Sequence, residues 1–211
     1  MTRCMRSILI GCLFVLMAIP ASADGEKPIE ALQRGLEAGF RVLKDPEFIG
    51  ADRKEAQQQQ LRIILDQVFD FRVFSKKVLA SNWKKFSPSQ RKEFVRVFAE
   101  FLGKFYMSKL QEKYKDERLI YVDQEMKSDT RALVHVKVVW KGQEIPVDLR
   151  MIKRRGLWKV YDIEVLGISA VRNYRAQFRS LLSKETPAQV IDRIKERIRT
   201  IDSQRLKASN D

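Results

Sequence analysis

Few side chains in this sequence have the type and spacing that covalent chemistry requires. His135 is the single histidine. It stands in the run Ala132–Trp140, where alternate positions are apolar, and it falls out of phase with Val134 and Val136. A metal site needs clustered ligands, so His135 reads as a solvent-side or strand-packing residue. Asp162 and Glu164, two apart in an extended run, share one strand face. One such pair is thin ground for acid–base catalysis, and Asp162 is expected to anchor a polar contact near the turn that follows. Asp123, Asp129 and Asp148 lack the spacing of a calcium loop. No HExxH, P-loop, GxSxG or dinucleotide-binding glycine pattern occurs in a fitting context. The expectation is a protein with no catalytic residue, no metal and no cofactor.

The cations are more informative. Lys76-Lys77, Lys84-Lys85 and Lys153-Arg154-Arg155 are short basic clusters of the kind that keep a surface soluble. Arg172, Arg175 and Arg179 differ from them. Their three- and four-residue spacing puts them on one helix face, beside an apolar stripe of Val171, Tyr174 and Phe178. Cations rimming an apolar stripe suit a ligand with a phosphate head and buried tails.

The elements that must position these groups start with Leu157–Leu182. Leu157–Leu166 reads as a strand, with Tyr161, Ile163 and Val165 on one face and Asp162 and Glu164 on the other. Gly167 allows a sharp change of direction, and Ser169 is placed to cap the helix carrying Val171, Tyr174, Phe178, Leu181 and Leu182. Upstream, Pro28–Leu43 is an amphipathic helix interrupted at Asp45-Pro46. A second helix runs from near Asp52 to Val68, and a third opens at Phe69-Asp70-Phe71 with Phe74, Val78 and Leu79 inward.

Ser87-Pro88 starts a fourth helix with a wide aromatic arc, Phe94, Phe98, Phe101, Leu102, Phe105, Tyr106, Leu110 and Tyr114. That arc fits a helix buried on two sides, or one that lines an apolar cavity. Four strands follow: Leu119–Lys127, Ala132–Trp140, Ile145–Met151 and Leu157–Leu166. Short turns at Ser128-Asp129, Lys141-Gly142 and Arg155-Gly156 imply an antiparallel meander. Pro146 suits an edge or an irregular ladder. A last helix starts at Thr186-Pro187 with Val190, Ile191, Ile194, Ile198 and Ile201 as its stripe, and Lys207–Asp211 reads as a frayed tail.

The N-terminus sets the compartment. Arg3 and Arg6 precede a short apolar run, Ile8–Ile19, and Ala21-Ser22-Ala23 follows Pro20. That is the pattern of a secretory signal peptide over residues 1–23, leaving one domain over 24–211. Cleavage there removes both cysteines, Cys4 and Cys12, and lowers the net charge from +14 to +12 with the loss of the two arginines. An exported basic protein is expected to meet an anionic membrane surface or an acidic protein patch, and no nucleic acid.

A resemblance sharpens this reading. Trp158-x-Val160-Tyr161-Asp162, Gly167-Ile168-Ser169 and Asn173-Tyr174-Arg175-x-Gln177-Phe178 resemble the signature of the MlaC or toluene-tolerance family. Val68-Phe69-Asp70-Phe71 with Val78-Leu79 and Trp83 is similar to the family's middle segment, and so is Ser87-Pro88-x-Gln90-Arg91-x-x-Phe94. These are periplasmic phospholipid-binding proteins of Gram-negative bacteria. The resemblance implies an α+β fold, a four-stranded antiparallel sheet with one face covered by several helices and enclosing an apolar lipid cavity. It implies a soluble periplasmic carrier of phospholipid between an outer-membrane lipoprotein complex and an inner-membrane ABC-transporter complex with a lipid-binding subunit, maintaining outer-membrane lipid asymmetry. Face analysis then offers Phe98, Leu102, Tyr106, Val147, Leu149, Tyr161, Ile163 and Val171 as tail contacts, and Arg172 and Arg175 as headgroup or docking contacts.

Such a carrier needs no catalyst. Taking a two-chain lipid through water exposes apolar surface worth on the order of 25 kcal/mol, at about 0.8 kcal/mol per methylene. A carrier of another lipid, such as a hopanoid, a periplasmic enzyme relying on Asp162 or His135, and an adaptor that holds no ligand are the alternatives.

Overall fold

The computed structural model describes residues 25–48, 50, 53–113 and 118–210, with residues 107–113 and 205–210 described by their backbone only. The expected signal segment 1–23 lies outside the described residues, as do Asp52 and Tyr114. The helices are α1 (Pro28–Lys44), α2 (Lys54–Val68), α3 (Phe71–Leu79), α4 (Pro88–Lys113), α5 (Ala170–Leu182) and α6 (Pro187–Asn210). Short 3-10 turns occupy Pro46–Phe48 and Ala80–Lys85.

Local chemistry explains where the helices begin. Asp70 caps α3 by accepting from the Val73 amide at 2.8 Å. Ser87 and Gln90 exchange backbone and side-chain hydrogen bonds at the start of α4 (2.9 and 3.2 Å), and Thr186 and Gln189 do the same for α6. The last helix continues to Asn210, so the segment from Lys207, read as frayed, is helical up to that residue.

The sheet has five strands in sequential antiparallel order: β1 (Arg118–Ser128), β2 (Arg131–Trp140), β3 (Gln143–Arg154), β4 (Leu157–Val165) and β5 (Ile168–Ser169). Four strands were expected. The fifth arises because Leu166-Gly167 is a two-residue hairpin turn pairing Val165 with Ile168 before the chain enters α5. The turns at Lys141-Gly142, Arg155-Gly156 and Leu166-Gly167 all have positive φ at both central residues, the signature of the type I′ turn whose twist matches its strands. Pro146 lies one residue beyond the point where β4 stops pairing, at Val147 opposite Val165, so on that side its missing N–H breaks no ladder.

One face of the sheet carries Val134, Val136, Val147, Leu149, Met151 and Val160 into the core, where α1, α3 and α5 cover it. α4 packs against α6 on one flank through Val190, Ile191, Ile194 and Ile198, and against α3 on another. The opposite face of the sheet shows His135, Asp148, Arg150 and Glu164. Among the described residues, no helix is long and apolar enough to cross a membrane.

Candidate functional site

The aromatic arc of α4 grades from core to surface. Phe94 and Phe98 are fully buried. Phe98 is the hub: its ring lies 5.6 Å from Phe74 of α3, 5.3 Å from Phe94, and 5.2 and 5.1 Å from Tyr174 and Phe178 of α5. These tilted, edge-on and offset arrangements are the favourable ones for ring quadrupoles. The row then climbs α4 through Phe101 (6.5 Å), Phe105 (5.7 Å) and Tyr106 (5.1 Å), and ends at Tyr106, which is 50% exposed. Thus the half of the arc up to Leu102 is buried on two sides, and Phe105 and Tyr106 open outward; the Leu110 side chain and Tyr114 lie outside the described residues. Tyr106 and Tyr174 meet through their hydroxyls at 3.2 Å, and burial pushes the Tyr174 phenol above its ordinary range.

The sheet supplies a second apolar group. Val147 and Leu149 are buried on the inner face, Ile163 sits opposite Leu149 and is partly buried, and Val171 of α5 is buried. Leu36, Leu65, Val68, Phe71, Tyr121 and Val138 are likewise only partly buried against this core. Tyr161 stands apart. β4 carries one extra residue between Val160, opposite Met151, and Asp162, opposite Arg150, and that bulged residue is Tyr161. Its ring lies under the Lys77 ammonium at 4.9 Å. The bulge removes Tyr161 from the strand face expected from strict alternation and puts Trp158 and Val160 in the core instead, while Val165, at the end of β4, is exposed.

The start of α5 is fixed by a buried carboxylate. Asp162 accepts from the Ser169 hydroxyl at 2.7 Å and from the Val171 amide at 2.9 Å, while Ser169 Oγ accepts from the Arg172 amide at 3.1 Å. Arg172 donates to the Gly167 carbonyl at 2.7 Å and lies 3.4 Å from Glu164; Arg175 donates to the Lys77 carbonyl at 3.0 Å. Both arginines therefore brace the α5 end as well as presenting positive charge. Asp162 makes the polar anchor expected of it, and it belongs to the scaffold of the site.

His135 lies on the outer face and donates from Nδ1 to Asp148 at 2.7 Å, with Glu125 and Asp123 3.6 and 3.9 Å from Nε2. These carboxylates hold its imidazole above the usual histidine range, the Asp148 hydrogen bond being the main cause. It is remote from the aromatic row, on the other side of the sheet.

Sequence reasoning missed a depression of about 500 Å³ at the C-terminal end of α1, lined by Glu37, Phe40, Arg41, Lys44, Asp45 and Pro46. The signal was the mixture of Phe40 with Arg41 and Lys44, which amphipathic periodicity alone treats as an ordinary helix end.

With this geometry in view, the comparisons with known proteins are specific. The solved structure of a phospholipid-binding protein from Ralstonia solanacearum, in complex with a phospholipid, matches with a TM-score of 0.72 at 21% identity, covering 84% of this chain and 99% of the other. The family model described as MlaC protein matches residues 33–196, which takes in the aromatic row, the whole sheet, the Asp162 anchor and the start of α6. The chain belongs to the MlaC family.

Proposed function

We propose that this protein is a non-enzymatic periplasmic carrier that binds phospholipid and shuttles it between an outer-membrane lipoprotein complex and an inner-membrane ABC-transporter complex. The observation that carries the reading is the aromatic row running from fully buried Phe98 to half-exposed Tyr106, flanked by apolar side chains that the helices cover only in part. A row of that kind offers acyl chains a continuous apolar route from the surface to the interior. Membership of the MlaC family and the phospholipid in the similar Ralstonia solanacearum protein support the choice of ligand. Phe98, Leu102, Tyr106, Val147, Leu149, Ile163 and Val171 are the proposed tail contacts. Arg172 and Arg175 supply charge for a phosphate head or for docking.

The test is mass spectrometry of the protein purified without detergent from a Gram-negative periplasm, with native and denatured spectra compared. A stoichiometric diacyl phospholipid is expected. A polycyclic lipid would replace phospholipid as cargo. A ligand-free protein that also takes no lipid from vesicles would refute the carrier reading.

A further inference from the structure

The antiparallel order puts four strand ends at one edge of the sheet: the start of β1, the end of β2, the start of β3 and the end of β4. Two tight turns open there, Lys141-Gly142 and Leu166-Gly167. A side chain placed on either glycine would meet nothing within 4 Å, so both turns project into open space. The chemistry of the second is unusual for a hairpin apex. Leu166 holds φ +49°, a conformation in which a type I′ turn ordinarily places Asn, Asp or Gly. A bulky residue with positive φ is strained. Yet Leu166 and Ile168 on either side of Gly167 are each 67% exposed. This apex breaks the local rule twice, in conformation and in exposure, and nothing in the fold uses either side chain.

The surroundings are basic and carry an aromatic anchor. Trp140, 43% exposed, closes the neighbouring turn with the Lys141 ammonium 4.8 Å from its ring. The nearby carboxylates are already engaged: Glu144 by Lys137 at 2.8 Å, Asp148 by His135 at 2.7 Å, and Glu164 by Arg150 and Arg172 at 3.3 and 3.4 Å. Arg150 also lies 3.7 Å from Asp162, so Arg150 and Arg172 balance Glu164 and Asp162, and the cations added at this edge among the described residues are Arg118 and Lys141. In register, Trp140 lies opposite Gln143 while Val165 lies opposite Val147. The β2–β3 hairpin thus reaches about 13 Å further along the strand direction, at roughly 3.3 Å per residue. A plane touching both turns meets the sheet at a slant.

We propose that the Val165–Ile168 turn is a membrane-contact tip. Leu166 and Ile168 enter the outer layer of an anionic lipid surface, Trp140 sits at its interface, and Arg118, Lys141 and Arg172 rest against headgroups. A bilayer fits better than a protein partner. The exposed aliphatic group is two side chains at one turn, whereas a stable protein interface is a broad patch of about 800 Å² on each partner. Exposed aliphatic residues at a turn, with a Trp–Lys pair and a further arginine at the neighbouring strand ends, are the interfacial combination that lipid headgroups select. Contact through so few side chains is weak and reversible, as suits a protein that must leave the surface again.

The test is flotation of the full chain, as an exporting host produces it, with vesicles containing phosphatidylglycerol or phosphatidylcholine alone, at low and high salt. The wild type is expected to float with the anionic vesicles and to be released by salt. Leu166→Asn is expected to lower that binding about tenfold by removing the inserted aliphatic group. Its melting temperature should hold or rise, because Asn suits the turn. Lys141→Asn, which also suits its turn, is expected to lower binding about fivefold, the share of one cation near an anionic surface. Absence of flotation with anionic vesicles overturns the proposal. So does unchanged flotation by Leu166→Asn and Ile168→Ser, which would assign binding to the basic surface alone, a feature an acidic protein would also recognise. Neither result bears on cargo, since the tip lies outside the aromatic row.

Discussion

Removing the Asp162 carboxylate is the sharpest probe of how the site is held together. Asp162 is 4% exposed and accepts two hydrogen bonds, from the Ser169 hydroxyl and the Val171 amide, at the junction between sheet and α5. Asp162→Ala leaves two buried donors without acceptors. Each orphaned group costs about 1–3 kcal/mol, so a loss of about 3 kcal/mol is expected. The neighbouring Arg150, 3.7 Å away and 41% exposed, adds little because solvent screens it. For a domain of this size that loss corresponds to a fall in melting temperature of about 10 °C. Asp162→Asn keeps one acceptor for the Val171 amide and should lose about 1–2 kcal/mol. Thermal and urea unfolding of both variants supply the numbers. Lipid retention should follow the folded fraction, because Asp162 is buried with its carboxylate committed to Ser169 and Val171 at the start of α5. Asp162→Ala within about 0.5 kcal/mol of wild type would refute the claim that this carboxylate fixes α5. Loss of lipid by a fully folded Asp162→Asn protein would refute its purely structural role.

Other perturbations separate packing from function. Phe98→Ala should cost about 3–5 kcal/mol, since the ring is fully buried. Tyr106→Ala, at the exposed end of the same row, should cost under about 1 kcal/mol and yet reduce co-purifying lipid, measured by phosphate and mass analysis. A Cβ at Gly35 would stand 2.3 Å from Val68 Cγ2 where α1 crosses α2. Gly35→Ala should therefore destabilise by about 1–2 kcal/mol despite its better helix propensity, and Val68→Ala in the same chain should recover most of that in urea titrations. His135 has its folded pKa raised by Asp148, with Asp123 and Glu125 adding to it. Its stabilising share is therefore full below the ordinary histidine value near about 6.5 and is lost as pH rises through the higher folded value. Melting temperatures of wild type and His135→Gln should differ most at mildly acidic pH, above the range where the carboxylates protonate, and converge at alkaline pH.

Helix starts, hairpin turns and strand alternation were legible in the chain because each rests on neighbours in sequence. Ser87-Pro88, Thr186-Pro187 and Asp70 carry their own capping partners within three residues. Lys141-Gly142 and Arg155-Gly156 bring the positive-φ residue a type I′ turn requires. The apolar stripe of α5 beside its arginines could also be read without coordinates.

The rest depended on residues far apart in the chain. Strict alternation placed Tyr161 with Ile163, but the extra residue in β4 shows only once β3 is laid beside it, and it turns Tyr161 to Lys77. The α4 arc fitted either burial on two sides or the lining of a cavity. Tertiary packing divides it: α3 and α6, with the Tyr174 and Phe178 rings of α5, cover the helix up to Leu102 and leave Tyr106 half exposed. In the sequence Leu166-Gly167 reads as a simple strand-to-helix corner, because Leu gives no warning of a turn that Asn would announce. Periodicity reports which side chains share a face. Only the packed chain, through bulges, helix crossings and strand ends brought to one edge, decides what that face meets.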